Sequence, residues 1–286
     1  MPTALRDADH ERLFQHGGSS EGPIRHSRVD ILGVNVSTAS LAEVARTMVT
    51  WATGPRPDSG ARYVCATSVH GLIEGVRDPD FRGILNAAGH VTPDGMPLVW
   101  FGKLRRRSEM SRVYGPALMK EVCRLTAGLR VRHFLYGGAP GVAEELRRRL
   151  ETEFDGLQVV GTFSPPYREL TETELVEVAA RINRTGADLV WVGLSTPKQE
   201  RWIAAVRQQL HAGVIVSVGA AFDFHAGRVR QAPRWLQAAG LEWAFRLSQE
   251  PRRLWRRYAY NNPRFLWLAL SQLVGLRKFT NVTEAE

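Results

Sequence analysis

Residues 187–203, ADLVWVGLSTPKQERWI, constrain the fold more than any other stretch of this chain. The stretch opens on a near-continuous apolar run, Leu189, Val190, Trp191 and Val192, which suits a parallel strand covered on both faces. Gly193 and Leu194 lead into a short polar turn, and a helix follows. Thr196, Pro197 and Gln199 fit an N-cap, a proline at the first helical position and the third-residue partner of a capping box. A strand, a tight turn and a helix N-terminus in succession present free backbone N–H groups and the positive end of a helix dipole, which favour an anion. Lys198 adds a full charge at the same mouth, and ligands of open α/β sheets bind at this edge of the strands. A plain helix cap with no ligand fits the same residues equally well.

The rest of the chain alternates in the same way. Strands are expected over residues 29–36 with a turn at Gly33, over 63–66, up to Val91, and over 132–136, 157–161 and 214–218. Helical spacing marks residues 40–53, 72–76, 81–88, 97–101, 142–154 and 173–185, and a further helix runs to about Leu210. Strands separated by helices imply βαβ units: an α/β fold with a mainly parallel sheet flanked by helices. Residues 1–27, rich in charge, Gly and Ser, read as a flexible tail before a core over residues 28–240. From about Pro233 the texture changes. A helix over 235–250 leads, through Pro251, into a basic and aromatic helical appendage assigned to residues 241–286.

Bulk properties narrow the partners. A chain of 286 residues with 44% hydrophobic content can bury a real core. The net charge of +9 points to a polyanion: nucleic acid, an anionic membrane or a phosphorylated substrate. Cys65 and Cys123 make neither a disulfide framework nor a zinc spacing, which fits a reducing cytoplasm. The N-terminus lacks the apolar segment of a signal peptide, and no apolar run reaches the roughly 18–20 residues of a membrane span.

Several residues can carry chemistry. Asp94 lies between Pro93 and Gly95 at a strand end, where a carboxylate can take a proton from an attacking hydroxyl; Pro-Asp-Gly is also a common turn. The loop from Gly137 to Gly141 can approach a phosphate closely. Tyr136 stands where a dinucleotide fingerprint needs its first glycine, and the next strand ends without an acid, so a nicotinamide-dependent oxidoreductase or epimerase fits poorly. Asp223 follows a turn of small residues, Gly219 to Ala221, and is not part of the acidic pair that usually holds a nucleotide-bound metal. Arg246, Arg253 and Arg256 fall near one helical face, and guanidinium forks suit pyrophosphate. Trp255, Tyr258 and Trp267 among arginines look like interfacial membrane anchors.

Taken in order, PDG at 93–95, YGG at 136–138, VGLSTPKQE at 192–200, GAAFDFHAG at 219–227, APRW at 232–235 and LEWAFRLSQEPRRLWRR at 241–257 resemble the WecG/TagA/CpsF family of bacterial glycosyltransferases. The resemblance runs from about Val29 to Arg257. It implies a Rossmann-like core that moves a hexose, N-acetylhexosamine or its uronic acid, with inversion and without a metal or other cofactor. The donor is a UDP-sugar, the acceptor is a polyprenyl-diphosphate-linked sugar, and the product serves cell-surface polysaccharide such as exopolysaccharide. Carried over by position, Asp94 is the catalytic base. Gly137, Gly138, Pro197, Lys198, Gln199, Glu200, Gly219, Ala220, Phe222 and Asp223 line the nucleotide pocket, and Arg246, Arg253 and Arg256 hold diphosphate charge. The family commonly has an Asn after the second strand, where this chain has Thr67, Ser68, Val69 and His70. Ser68 aligns with it, which puts sugar and acceptor contacts at Thr67 and Ser68 in question and makes His70 a second candidate for them.

The resemblance also implies a protein on the cytoplasmic face of the membrane, attached peripherally to the anionic inner-membrane surface by the appendage. The alternative from another class is a non-catalytic, basic, membrane-associated nucleotide-binding protein. A nucleic-acid partner is not expected, since no helix-turn-helix, RNA-recognition or zinc signature accompanies the charge.

Overall fold

A computed structural model describes residues 27–279 of the chain; most of the tail expected over residues 1–27 lies outside them. The described chain opens on an antiparallel hairpin, β1 (Arg28–Ile31) and β2 (Val34–Ser37), and not on the single strand expected over residues 29–36. Leu32 and Gly33 turn it at φ 54° and 83°, the positive values that two-residue hairpin turns favour. Leucine seldom adopts that backbone. Here the turn is buried, and Leu32 N–H donates to Gln272 Oε1 at 2.9 Å.

A capping box of Ser40 and Glu43 starts α1 (Leu41–Thr53). Next come β3 (Arg62–Thr67), α2 (Val69–Arg77) and α3 (Pro79–Asn86), then β4 (His90–Pro93) and α4 (Met96–Leu104). Helix α5 (Gly115–Thr126) occupies a stretch with no expected element, although Leu118, Val122 and Thr126 recur every fourth residue on its buried face. The middle holds β5 (Arg132–Gly137), α6 (Val142–Glu153), β6 (Gln158–Phe163) and α7 (Glu172–Thr185). Then follow β7 (Leu189–Gly193), α8 (Lys198–Val206), β8 (Val214–Ser217) and α9 (Ala221–His225). The helix expected over residues 235–250 is two, α10 (Arg234–Ala238) and α11 (Glu242–Gln249), broken where Gly240 sits at φ 70°. Pro251 restarts the chain as the 23-residue α12 (Pro251–Leu273).

Six strands form one sheet in the order β4-β3-β8-β7-β5-β6, with every neighbouring pair parallel. From β5 the chain crosses outward to β6, and from β7 it crosses inward to β8. The connections therefore diverge between these neighbours, the arrangement that opens a ligand crevice beyond the strand ends. The apolar run of β7 is explained by burial on both faces. Val190 and Val192 join one core layer with Tyr63, Phe134 and Ile215; Leu189 and Trp191 join the other with Val64, Leu135 and Val216.

Helix α12 belongs partly to that packing. Phe265, Leu268 and Ala269 are buried in the first layer beside Leu72 and Ile73 of α2. Gln272 Nε2 donates to Asp30 Oδ1 at 2.6 Å while its oxygen holds Leu32, so the end of α12 is clasped to the first hairpin. No helix among the described residues is long and apolar enough to cross a membrane.

Candidate active site

All six parallel strands end on one cleft of about 1910 Å³, which takes Ser68 after β3, Asp94 after β4, Gly138 after β5, Ser164 after β6, Leu194 after β7 and Gly219 after β8. Helices α4, α11 and α12 wall it from the other side through Trp100, Arg246, Arg257 and Phe265.

Asp94 sits in a pinned loop. Its N–H donates to Thr67 O at 2.9 Å, and Arg112 Nε donates to its carbonyl at 2.6 Å. The carboxylate accepts from Gly115 N–H, the first residue of α5, at 3.0 Å through Oδ1. One side-chain oxygen thus organises the turn, and the half-buried side chain lines the cleft. Arg112 stacks 4.0 Å above the Tyr114 ring and pairs with Glu242 of α11 at 2.7 Å, both side chains being largely buried. Through this pair α11 is fastened beside Asp94.

At the switch point the capping expectation needs correction. Helix α8 begins at Lys198 with Pro197 as N-cap after a cis Thr196–Pro197 bond, and Thr196 caps no backbone N–H. Gln199 is drawn instead to tertiary partners: its Oε1 accepts from Gly219 N–H at 3.1 Å. Lys198 lines the cleft with its Nζ 5.1 Å from the ring of Tyr167, in a loop after β6 that the motifs did not flag. Gly137 is required by packing, since a Cβ there would lie 2.5 Å from Gly193 O. Gly138, Gly219, Ala220 and Asp223 line the cleft. Burial pushes the Asp223 carboxyl above its ordinary pKa, against the pull of Arg253 and Arg246.

Of the predicted arginines, Arg246 and Arg253 line the cleft and Arg256 does not; it is exposed, with its guanidinium 5.4 Å from the Trp255 ring. Arg257 takes the place expected for Arg256. Burial, together with Arg246 and Arg253, pushes the Arg257 pKa down. Both Arg246 Nε and Arg257 Nε are buried without a hydrogen-bond partner. Desolvated cations crowded in this way favour an anion between them.

His70 is a neutral bridge. Its Nε2–H donates to Thr196 O at 3.3 Å, and its Nδ1 accepts from Asn261 Nδ2 of α12 at 3.1 Å. Burial, helped by Arg257, pushes its pKa down to about 4, so the 3.8 Å approach to Glu74 is no ion pair at neutral pH. Ser68 lines the cleft at the start of α2, making no cap bond. Thr67, Gly137, Pro197, Glu200 and Phe222 lie behind the cleft surface, outside its lining.

Part of the cleft lining is apolar. Met96, Trp100, Phe101 and Leu104 of α4 line it with Phe265, Leu266, Ala269, Leu270 and Leu273 of α12. Leu104 is 69% exposed and Leu266 59%, unusual values for large apolar side chains beside a cleft. This lining, Arg112 and Asn261 escaped the sequence reading. Arg257 was within reach of it, because 253, 257 and 261 recur every fourth residue from the Pro251 restart.

A family model described as "Glycosyl transferase WecG/TagA/CpsF family" matches residues 29–279. A protein of Bacillus subtilis (strain 168), named N-acetylglucosaminyldiphosphoundecaprenol N-acetyl-beta-D-mannosaminyltransferase, is 30% identical over 182 residues, covering 64% of this chain and 69% of its own. A Bacillus spizizenii (strain ATCC 23059 / NRRL B-14472 / W23) protein of the same name is 32% identical over 200 residues, 70% of this chain and 75% of its own. The chain therefore belongs to the WecG/TagA/CpsF family and is a glycosyltransferase.

Proposed function

We propose that the enzyme transfers a hexose or N-acetylhexosamine, with inversion, from a UDP-sugar to a polyprenyl-diphosphate-linked sugar in cell-surface polysaccharide synthesis. The observation that supports this most directly is the continuity of the cleft. Cationic Lys198, Arg246, Arg253 and Arg257, apolar side chains of α4 and α12, and Asp94 all belong to the lining of one space. A substrate pair with diphosphates, sugars and an isoprenoid chain matches that combination of surfaces. The two Bacillus relatives are named for an acceptor of this kind.

In this reading the acceptor hydroxyl attacks C1 of the donor sugar from the face opposite the diphosphate. Asp94 takes the hydroxyl proton as the new C1–O bond forms. The bond from C1 to the leaving oxygen breaks, and its electron pair departs with UDP. Charge growing on the diphosphate oxygens is met by Lys198 at the α8 N-terminus and by the arginines. The exposed apolar residues of α12 rest against the cytoplasmic face of the membrane, where Trp255 and Trp267 act as interfacial anchors.

The test is UDP release from a panel of UDP-sugars with a polyprenyl-diphosphate-sugar in detergent. Acceptor-dependent release with one donor is expected, falling by about 10²–10⁴ in Asp94→Asn, the usual worth of a general base. Release undiminished in that variant removes Asp94 from the mechanism; no release and no UDP binding would refute the reading.

A further inference from the structure

Glu200 was expected to touch the nucleotide, yet it is 1% exposed and absent from the cleft lining. We propose that Glu200 is a positioning residue: from beneath the cleft floor it fixes the Gln199 side chain, and through it the Gly219 loop, so that two strand-end loops meet the donor diphosphate in one geometry. The proposal rests on the UDP-sugar reading above.

The contacts form a chain. Glu200 Oε1 accepts from Gln199 Nε2 at 2.8 Å, from Thr196 Oγ1 at 3.1 Å and from Ser217 Oγ at 3.4 Å. Gln199 Nε2 also reaches Thr196 Oγ1 at 3.3 Å, which sets the direction of the amide. Its oxygen is thereby turned to accept from Gly219 N–H. A third loop joins through Thr196 O, which accepts from His70. One carboxyl group thus links the ends of β7 and β8 directly, and the end of β3 through Thr196.

Burial pushes the Glu200 carboxyl up, and its Oε2 is buried without a partner. Three donors converging on one oxygen hold the carboxyl in a single orientation beneath the cleft floor. Glutamine has the same shape and offers the same carbonyl oxygen, whereas leucine fills the space and offers none.

UDP affinity by calorimetry, together with kcat and both KM values, tests this on the full chain. Glu200→Gln is expected within about threefold of wild type. Glu200→Leu is expected to weaken UDP and raise the donor KM about tenfold or more, with the acceptor KM unchanged, as the loss of linked buried hydrogen bonds implies. Thr196→Val, which removes one donor without emptying the site, should weaken UDP about three- to tenfold. Glutamine as damaging as leucine would overturn the proposal, and so would a folded leucine variant with wild-type affinity. If the leucine variant does not fold, Thr196→Val decides, and unchanged affinity there overturns the proposal too. A wild type that does not bind UDP sinks the donor reading instead. Hydrogen exchange over residues 217–220 then tests the clamp itself: faster exchange in Thr196→Val supports it, and unchanged exchange overturns it.

Discussion

Gly115 is the residue through which a single methyl group should separate catalysis from binding. A Cβ there would lie 2.7 Å from Val218 O and 3.1 Å from Val218 Cα, and both neighbours are backbone at the end of a central strand. Reaching the 3.4 Å at which a Cβ contact becomes ordinary requires the start of α5 to retreat by about 0.7 Å. Gly115 N–H holds Asp94 Oδ1, so the carboxylate is displaced with it. A misplacement near 1 Å can cost about 10²-fold in rate, so Gly115→Ala should lower kcat roughly ten- to hundredfold. Overpacking of this kind costs about 1–3 kcal/mol, or roughly 2–12 °C in Tm for a chain of this size. UDP affinity should stay within about twofold of wild type, because Gly115 is not part of the cleft lining. Gly83→Ala is the control: a Cβ there meets nothing within 4 Å, and α3 should gain about 0.5–1 kcal/mol. The assay is steady-state kinetics beside thermal denaturation for both variants. If Gly115→Ala keeps kcat within twofold and its Tm unchanged, the contact does not position Asp94 and the reasoning fails.

Two further outcomes follow from buried cations and imidazoles. Arg257→Met should raise the donor KM at least tenfold, since charged hydrogen bonds are worth about 1.5–3 kcal/mol, while Arg256→Met stays within about twofold; equal effects of the two would contradict the assignment of Arg257. His133 is buried, accepts from Trp191 Nε1 at 3.0 Å, and is pushed down by burial to a pKa of about 4. A folded pKa below the unfolded 6.5 means that the unfolded chain takes up the proton first. The stabilisation is therefore complete above pH 6.5 and is lost as pH falls towards 4, by an amount on the order of 3 kcal/mol. His70 has the same sign. Tm measured between pH 7.5 and pH 5 should fall, and less steeply in His133→Gln; identical slopes would rule this origin out.

What could be read in advance was whatever local pattern decides. The run Leu189–Val192 is apolar because both faces of β7 are covered, so strand, sheet type and ligand edge were all legible in it. Asp94 was legible as a strand-end carboxylate, though the α5 N–H that holds it was not. Thr196 and Gln199 misled for a physical reason: their side chains have the chemistry of a capping box, but Thr196 Oγ1 donates to the buried Glu200 carboxyl and Gln199 Oε1 accepts from Gly219 N–H, 20 residues away. Arg256 was preferred over Arg257 by a spacing of seven and three residues from Arg246 that assumes one continuous helix, whereas the helix that begins at Pro251 turns 253, 257 and 261 to the cleft. Arg112 had no local signal, because its role is set by Glu242, 130 residues away.

The clasp between Gln272 and Leu32 joins residues 240 positions apart. On the ribosome the hairpin is made early and its partner emerges among the last described elements. Contacts this distant in sequence close late, after the sheet between them exists. The α12 wall of the cleft, with Arg253 and Arg257, belongs to the same helix as this clasp. Until α12 has returned to the first hairpin, the sheet edge is walled on one side only, and the cleft is complete only when these elements meet.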